Sequence, residues 1–306
     1  MNILVLGGLG FIGHQLTKQL LDQGHNCSVI DRQLPHTHTN VYDARAQIIK
    51  QAKIKNYELQ SIHSNMIDAD TVVHLANYSN DKQVRDHEYA AIRNFGLDTY
   101  KLLQSCKHAG VKHFIYVSSS MVYGDFTQDP QPEDAVKNPH GLYGIYKLAS
   151  EGLVKTFCEQ NNMFYTIIRP TAVYGPLDNN NRVINKFINS AINNQDLEVK
   201  GTSCLDFTYL DDAATGINLC VNNPNAHNET FNISRSAPVS LEQLAKTVVD
   251  IVGSGNIKLH KHDPNYPVRG QLDITKAEKL LGYNPKINIK EGIKKTYDWH
   301  NSFYRS

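Results

Sequence analysis

The sequence predicts an α/β chain built on a doubly wound parallel sheet, with a smaller C-terminal lobe. Three observations predict it. The chain opens on an apolar strand, Ile3-Leu4-Val5-Leu6, that runs into a glycine-spaced loop, Gly7-Gly8-Leu9-Gly10-Phe11-Ile12-Gly13. Continuous apolar runs then alternate with helical stretches, the pattern of βαβ units with right-handed crossovers. At 306 residues the length holds one large α/β domain and a further lobe.

The first strand and its loop carry the strongest signal. Gly7 permits a tight turn, Gly10 lets a pyrophosphate approach the backbone, and Gly13 lets the next helix lie close to the sheet. Residues 14–23 place Leu16, Leu20 and Leu21 on one helical face, and Gly24 follows as a stop. The helix start beside the loop is an anion site by its dipole and its free N–H groups. A second strand, Cys27-Ser28-Val29-Ile30, ends in Asp31, 18 residues after Gly13. A carboxylate there accepts hydrogen bonds from an adenosine ribose and repels a 2′-phosphate, which favours NAD over NADP. Arg32 beside it is the residue type that binds a 2′-phosphate instead.

Further elements follow in order. A Pro- and His-containing loop at 35–40 precedes a short strand at Gln47-Ile48-Ile49, and Thr71–Ala76 is another strand. A loop covers 77–81. A long helix is expected over 86–109, with Leu97, Leu102 and Leu103 inside and Gly110 as its stop. His113–Val117 is a buried strand running into Ser118-Ser119-Ser120. The strand Phe164–Pro170 comes next, then a helix near 182–193 and one after Asp206–Asp212. Thr230–Ile233 is a short strand. Ser240 caps a helix with Leu244, Val248 and Ile251 inside. Asp273 opens a helix that Gly282 ends, and the last helix covers 290–303. The Asn clusters at 179–181, 193–194 and 222–223 read as loops.

Composition excludes several classes. Thirty-one Lys and Arg stand against 30 Asp and Glu with no basic stripe, which speaks against nucleic acid as a partner. Cys27, Cys106, Cys158, Cys204 and Cys220 show no CxxC or Cys/His spacing, so they read as reduced thiols and not as a metal site. No apolar stretch is long enough to span a bilayer, and the start lacks the charged segment of a signal peptide. A cytoplasmic protein is expected.

The chemistry concentrates at Tyr143-Gly144-Ile145-Tyr146-Lys147. Tyr143 and Lys147 are four apart at a helix start and share one face. A phenol titrates near ~10, and a neighbouring ammonium lowers that value. With a serine hydroxyl in reach, Tyr143 can pass a proton to or from an alcohol while hydride moves to NAD. Alone, the pair marks a solvated face and three serines mark a turn. The reading rests on all three features following a glycine fingerprint.

Along nearly its whole length the chain resembles the extended short-chain dehydrogenase/reductase family, in the branch of NAD-dependent sugar-nucleotide epimerases and dehydratases. The resemblance is carried by the glycine loop, His74-Leu75-Ala76, Asn94, Ser118-Ser119-Ser120-Met121-Val122-Tyr123-Gly124 and the Tyr143/Lys147 pair. Arg169-Pro170 with Val173-Tyr174-Gly175-Pro176, Asp206-Phe207 with Asp211-Asp212, and Asp273 with Leu281-Gly282-Tyr283 add to it. It implies a Rossmann domain of residues 1–175 with 206–234 and a substrate-binding lobe of 176–205 with 235–306. It implies Tyr143 as acid or base, Lys147 as the group that lowers its pKa and holds the nicotinamide ribose, and Ser119 as the catalytic serine. Gly7, Gly10, Phe11, Ile12 and Gly13 would hold the pyrophosphate and Asp31 the adenosine ribose. Arg32, Ile54, Leu75, Ala76, Asn94 and Arg169 complete the expected cofactor set. Ser119, Ser120, Met121, Tyr143 and Arg269 would face the substrate. Homodimers through the helices near 86–109 and from Tyr143 are the family habit.

Departures from the family pattern narrow the reaction. Dehydratases carry acidic residues where this chain has Ser120 and Met121, and neither can move the proton that water elimination needs. Hydride chemistry alone remains. Asp31 favours bound, recycled NAD, hence an epimerase acting at C4. A keto-reductase or another alcohol dehydrogenase of the family is the alternative, and a non-catalytic NAD-binding regulator the outlying one. The substrate side departs further. Leu205 replaces the Arg that grips the nucleotide diphosphate, Ala172 replaces an Asn, and Ala52-Lys53-Ile54 replaces Gly-Asp-Ile/Leu near the adenine. Arg269 still matches a phosphate-binding Arg.

Overall fold

A computed structural model describes residues 1–32, 39–178, 182–201, 204–261 and 267–304. The strands are β1 Asn2–Leu6, β2 Asn26–Asp31, β3 Lys53–Asn56, β4 Thr71–His74, β5 His113–Val117, β6 Phe164–Pro170, β7 Val173–Tyr174, β8 Asp196–Lys200, β9 Cys204–Leu205, β10 Thr208–Tyr209, β11 Glu229–Ile233, β12 Val239–Ser240 and β13 Asn256–His260. The helices are α1 Phe11–Asp22, α2 Thr39–Ile48, α3 Asp81–Asp86, α4 Glu88–Arg93, α5 Thr99–His108, α6 Leu142–Gln160, α7 Val183–Ile192, α8 Leu210–Asn218, α9 Leu241–Val252, α10 Thr275–Leu281 and α11 Ile289–Tyr304.

Alternation along the strands explains the layers. Ile3 and Val5 of β1 join Ile115 and Val117 of β5 in one core, under α1, α8 and α10. Leu4 and Leu6 join Phe114 and Tyr116 in the opposite core, under α5 and α6. A strand apolar on both faces is stable only when both are covered. Burying each such side chain contributes ~1.5–3 kcal/mol, which fixes the register. Among the described residues seven strands form one sheet, in the order β11-β6-β5-β4-β1-β2-β3, with every pairing parallel. The order reverses between β1 and β4, and ligands bind such sheets in the crevice beyond the strand ends at that point. A third core unites Ile184, Phe187 and Ile188 of α7 with Leu197 and Val199 of β8, Leu244 and Val248 of α9, and Ile293 of α11.

Two sequence expectations are corrected. Residues 47–49 are not a strand. Residues 47 and 48 close α2, Ile49 follows in a turn, and the strand comes at Lys53–Asn56. Short apolar runs do not distinguish the two. The helix expected over 86–109 is broken twice. It changes direction at His87, where ψ is 46°, and passes through one π turn at Asn94–Asp98 before α5. The extra residue rotates Leu97 outward to 51 % exposure, while Leu102 and Leu103 are fully buried. Most of the loop expected at 35–40 and the Asn cluster at 179–181 lie outside the described residues. Ser240 and Gln243 form a capping box, and Gly282 closes α10 in the left-handed region as expected.

Arg169, expected beside the cofactor, spends four of its five guanidinium N–H donors within the protein. Nε and Nη2 donate to the two oxygens of Glu151 on α6 at 3.0 and 2.7 Å, and Nη1 donates to the Tyr123 hydroxyl and the Glu133 carbonyl. Its side chain therefore ties β6 to the helix that carries Tyr143 and Lys147. Removing one partner of a buried pair leaves an uncompensated charge. Glu151→Ala should destabilise the protein by ~3–5 kcal/mol in urea unfolding, whereas an exposed pair such as Lys294–Asp298 should be worth ~1 kcal/mol or less.

Candidate active site

The loop after β1 is built by close backbone contact. Gly7 adopts φ +81°, and a Cβ there would stand 3.0 Å from the Ala76 nitrogen. A Cβ on Gly13 would overlap the Gly7 carbonyl oxygen, and one on Gly8 would stand 2.7 Å from Val29. The first turn of α1 therefore lies against the strand ends, with the N–H groups of Phe11, Ile12 and Gly13 lacking acceptors within the helix. The Phe11 side chain itself is buried against Val173 and Leu210. Leu75 and Ala76 lie across the crevice at the end of β4.

Asp31 ends β2 beside this loop. Its Oδ2 accepts from the Leu9 N–H and its Oδ1 from the Arg32 N–H, both at 2.8 Å. Burial pushes its carboxyl up to about 6, against the pull of those two amides and of the Arg32 and Arg45 charges. The Arg32 guanidinium stacks over the Tyr78 ring at 5.2 Å. Ile54 lies in register with Val29 on edge strand β3, 39 % exposed. Sequence reasoning missed Arg45. From α2 it donates to the Leu9 carbonyl at 3.1 Å and to the Leu177 carbonyl at 2.5 Å, so it ties the glycine loop to the segment beyond β7.

The three serines after β5 have three partners. Ser118 donates to Glu151 at 2.5 Å. Ser119 caps the turn Ser120–Tyr123 by accepting from the Met121 N–H at 3.2 Å, and its hydroxyl is one of the groups that pull the Tyr143 phenol down. Ser120 accepts from Arg269. Helix α6 reaches this turn because Gly144 has no side chain: a Cβ there would stand 2.6 Å from the Met121 carbonyl oxygen. Asp81, also missed, accepts from the Tyr143 N–H at 3.2 Å and so caps the start of α6 from 62 residues away.

Burial pushes the Tyr143 phenol above its ordinary value, against the pull of the Ser119 hydroxyl and of the Arg182 charge. The Lys147 amine is itself buried. Desolvation brings it down to about 7, with Glu151 raising it. Lys147 Nζ donates to the Val117 carbonyl at 2.7 Å and to Asn77 Oδ1 at 3.1 Å. Asn77 in turn donates to Asn94, the residue that the π turn presents. The sequence signal for Asn77 was only its place directly after a strand end. Arg182 donates to the Val173 carbonyl at 2.7 Å and lies 5.8 Å from the Phe11 ring. Arg269 faces Ser120, Thr171 and Met121 and stacks on Phe126 at 4.9 Å. Among the described residues no His/Cys/Asp/Glu group is arranged to hold a metal ion.

A parallel sheet with a glycine loop at its switch point and a Ser–Tyr–Lys constellation beside it defines a dinucleotide-dependent oxidoreductase class. The chain belongs to the NAD dependent epimerase/dehydratase family, whose model matches residues 3–234. An uncharacterized UDP-glucose epimerase of Bacillus subtilis is 28 % identical, with 100 % of this chain and 99 % of that protein covered. UDP-glucuronic acid decarboxylase 5 of Arabidopsis thaliana is 28 % identical over 96 % of this chain and 87 % of its own length. The crystal structure of a UDP-glucuronic acid 4-epimerase from Bacillus cereus, in complex with UDP-glucuronic acid and NAD, superposes with a TM-score of 0.92 at 27 % identity, covering 99 % of this chain and 100 % of that one.

NAD is the family's cofactor, and the residues present fit it. The glycine cradle admits no side chain, and Asp31 keeps lone pairs for ribose hydroxyls. A carboxylate accepts both hydroxyl protons, and a carboxylic acid does so less well. NAD affinity should therefore fall as pH drops through about 6 in a fluorescence titration. Asp31→Ala should remove that pH dependence and narrow the preference over NADP.

Proposed function

We propose that this protein is an NAD-dependent sugar-nucleotide epimerase acting at C4 of the sugar. The observation that carries the reading is an intact dinucleotide cradle in the same crevice as Ser119, Tyr143 and Lys147, with Ser120 and Met121 both against Arg269. Bound NAD supplies the hydride acceptor and donor. Tyr143 Oη takes the proton of the C4 hydroxyl when that carbon is oxidised and returns it when the ketone is reduced on the other face. Ser119 donates its one O–H to the same sugar oxygen and so holds it against Tyr143. Lys147 holds the nicotinamide ribose. No group at 120 or 121 can abstract a proton from carbon, so dehydration is disfavoured. Asp31 disfavours an external NADPH supply and with it the keto-reductase reading.

The named relatives act on UDP-sugars, and a UDP-hexose or UDP-hexuronate is the substrate class we infer. Arg269, held against the Ser120 and Thr171 hydroxyls next to Ser119, suits an acidic group on that substrate. The lobe that would cover it is residues 176–205 with 235–306, around the third core. We infer further that two copies pair through α4, α5 and α6. Tyr89, 92 % exposed, with Ile92, Leu97 and Ile145 supports an apolar partner there. Free thiols at all five cysteines support a reducing, cytoplasmic setting, and among the described residues no helix is long and apolar enough to cross a membrane.

Mass spectrometry of the denatured protein should release NAD at close to one per chain, and a UDP-sugar panel should show C4 inversion without added cofactor. Tyr143→Phe should lower turnover by on the order of 10²-fold or more while NAD stays bound. An empty protein that prefers NADPH would overturn the epimerase reading.

A further inference from the structure

Lys147 is 3 % exposed, and an ammonium carries three N–H donors. Two of them are spent inside the protein, on the Val117 carbonyl and on Asn77 Oδ1. Asn77 Oδ1 also accepts from the Tyr116 hydroxyl at 3.1 Å. With two donors on its oxygen the amide has one orientation, and its Nδ2 donates to Asn94 Oδ1 at 2.9 Å. Asn94 Nδ2 donates to the Ala76 carbonyl at 3.3 Å. The π turn fixes the far end of this chain, since Thr99 donates to the Asn94 carbonyl at 3.0 Å. Every donor meets an acceptor, from a backbone carbonyl at the end of β4 to the amine in the site.

We propose that Asn77 is a positioning residue that orients the Lys147 amine, leaving one N–H for the ribose of the dinucleotide. The inference rests on the cofactor role proposed for Lys147. It assigns to this chain's Asn77 a function that neither the glycine fingerprint nor the Tyr143/Lys147 pair carries. The amine is otherwise surrounded by weak partners. Glu151 on the same helix is tied to Arg169 and Ser118. His74, at the end of β4, is held neutral by burial, which brings it down to about 3. The rings of Tyr116 and Phe95 lie 4.8 and 5.4 Å from Nζ, and Tyr143 is one turn earlier on α6. A carbonyl oxygen that accepts from an ammonium favours its charged form, so Asn77 sets the direction of the amine and also supports its charge.

The test follows the Lys147 Nζ signal by NMR in 15N-lysine-labelled protein across pH, together with NAD affinity. Asn77→Ala should lower the Lys147 titration midpoint and weaken NAD by about 10-fold, the loss of one charge-assisted hydrogen bond. Asn77→Asp keeps the size and the acceptor and adds a charge, so it should raise the midpoint. It also keeps the test open should the alanine variant fail to fold. Midpoints that stay in place, or that move the same way in both variants, overturn the proposal. Neither readout needs a sugar, so a failed search for epimerisation would not bear on it. Lys147→Met is the control. If it binds NAD as the parent does, the cofactor role of Lys147 is wrong. If it loses NAD while Asn77→Ala does not, that role stands and the assignment of Asn77 falls.

Discussion

Backbone meets backbone where the loop after β1 crosses the end of β4, and the rest of the site is arranged around that contact. Gly7 and Ala76 leave no room for a side chain between them, and Gly13 brings α1 down onto the same loop. The approach sets two things at once. It opens the first turn of α1 toward the crevice, and it brings the residues after β4 close to those after β5. Asn77 is the second residue past the contact made by Leu75, and its amide lies within 3.1 Å of the Lys147 amine. The cofactor side of the site is thus made largely of main chain, and its packing holds only while these glycines carry no side chain.

The second constraint is charge without water. Lys147, Glu151 and Arg169 are all buried, as are Tyr116 and Tyr123. An isolated ion at such depth loses several kcal/mol of hydration, so each is held by partners that answer its charge or its lone pairs. Glu151 serves two of them. It takes both Arg169 nitrogens and the Ser118 hydroxyl, and its field keeps the Lys147 amine from falling further below its ordinary value. The Arg169 side chain therefore shapes the site through the protein's own groups. The resemblance places it in the cofactor set, and the acid that satisfies its charge stands 18 residues earlier on another element.

What the sequence made legible follows from the range of each interaction. The glycine loop, Asp31, the serine run and the Tyr143/Lys147 pair are local patterns whose backbone consequences are fixed within a few residues, and the structure brings them to one crevice. The two elements misread, residues 47–49 and the helix through Leu97, fail for one reason. A short apolar run and a single inserted residue change the periodicity by too little to register, although the π turn decides where Asn94 points. Asn77, Asp81 and Arg45 were invisible because each acts on a partner between 36 and 70 residues away. No spacing rule reaches so far.

The same argument explains why the cofactor is easier to read than the sugar. Pyrophosphate and ribose meet the main chain and residues close to it in sequence. The substrate would meet Ser119, Ser120, Thr171, Arg182 and Arg269, and the bond from Arg269 to Ser120 spans 149 residues. That wall is made of side-chain contacts between separate elements, each free to change without disturbing the sheet. The resemblance expects an arginine at Leu205, and the Arg269 guanidinium comes to Ser120 and Thr171 from a different segment. The charge beside the serine run is therefore set by the packing of separate elements. Tyr143 and Lys147, one turn apart on α6, keep their relative place by local helix geometry alone, whereas the place of Arg269 depends on contacts across the chain.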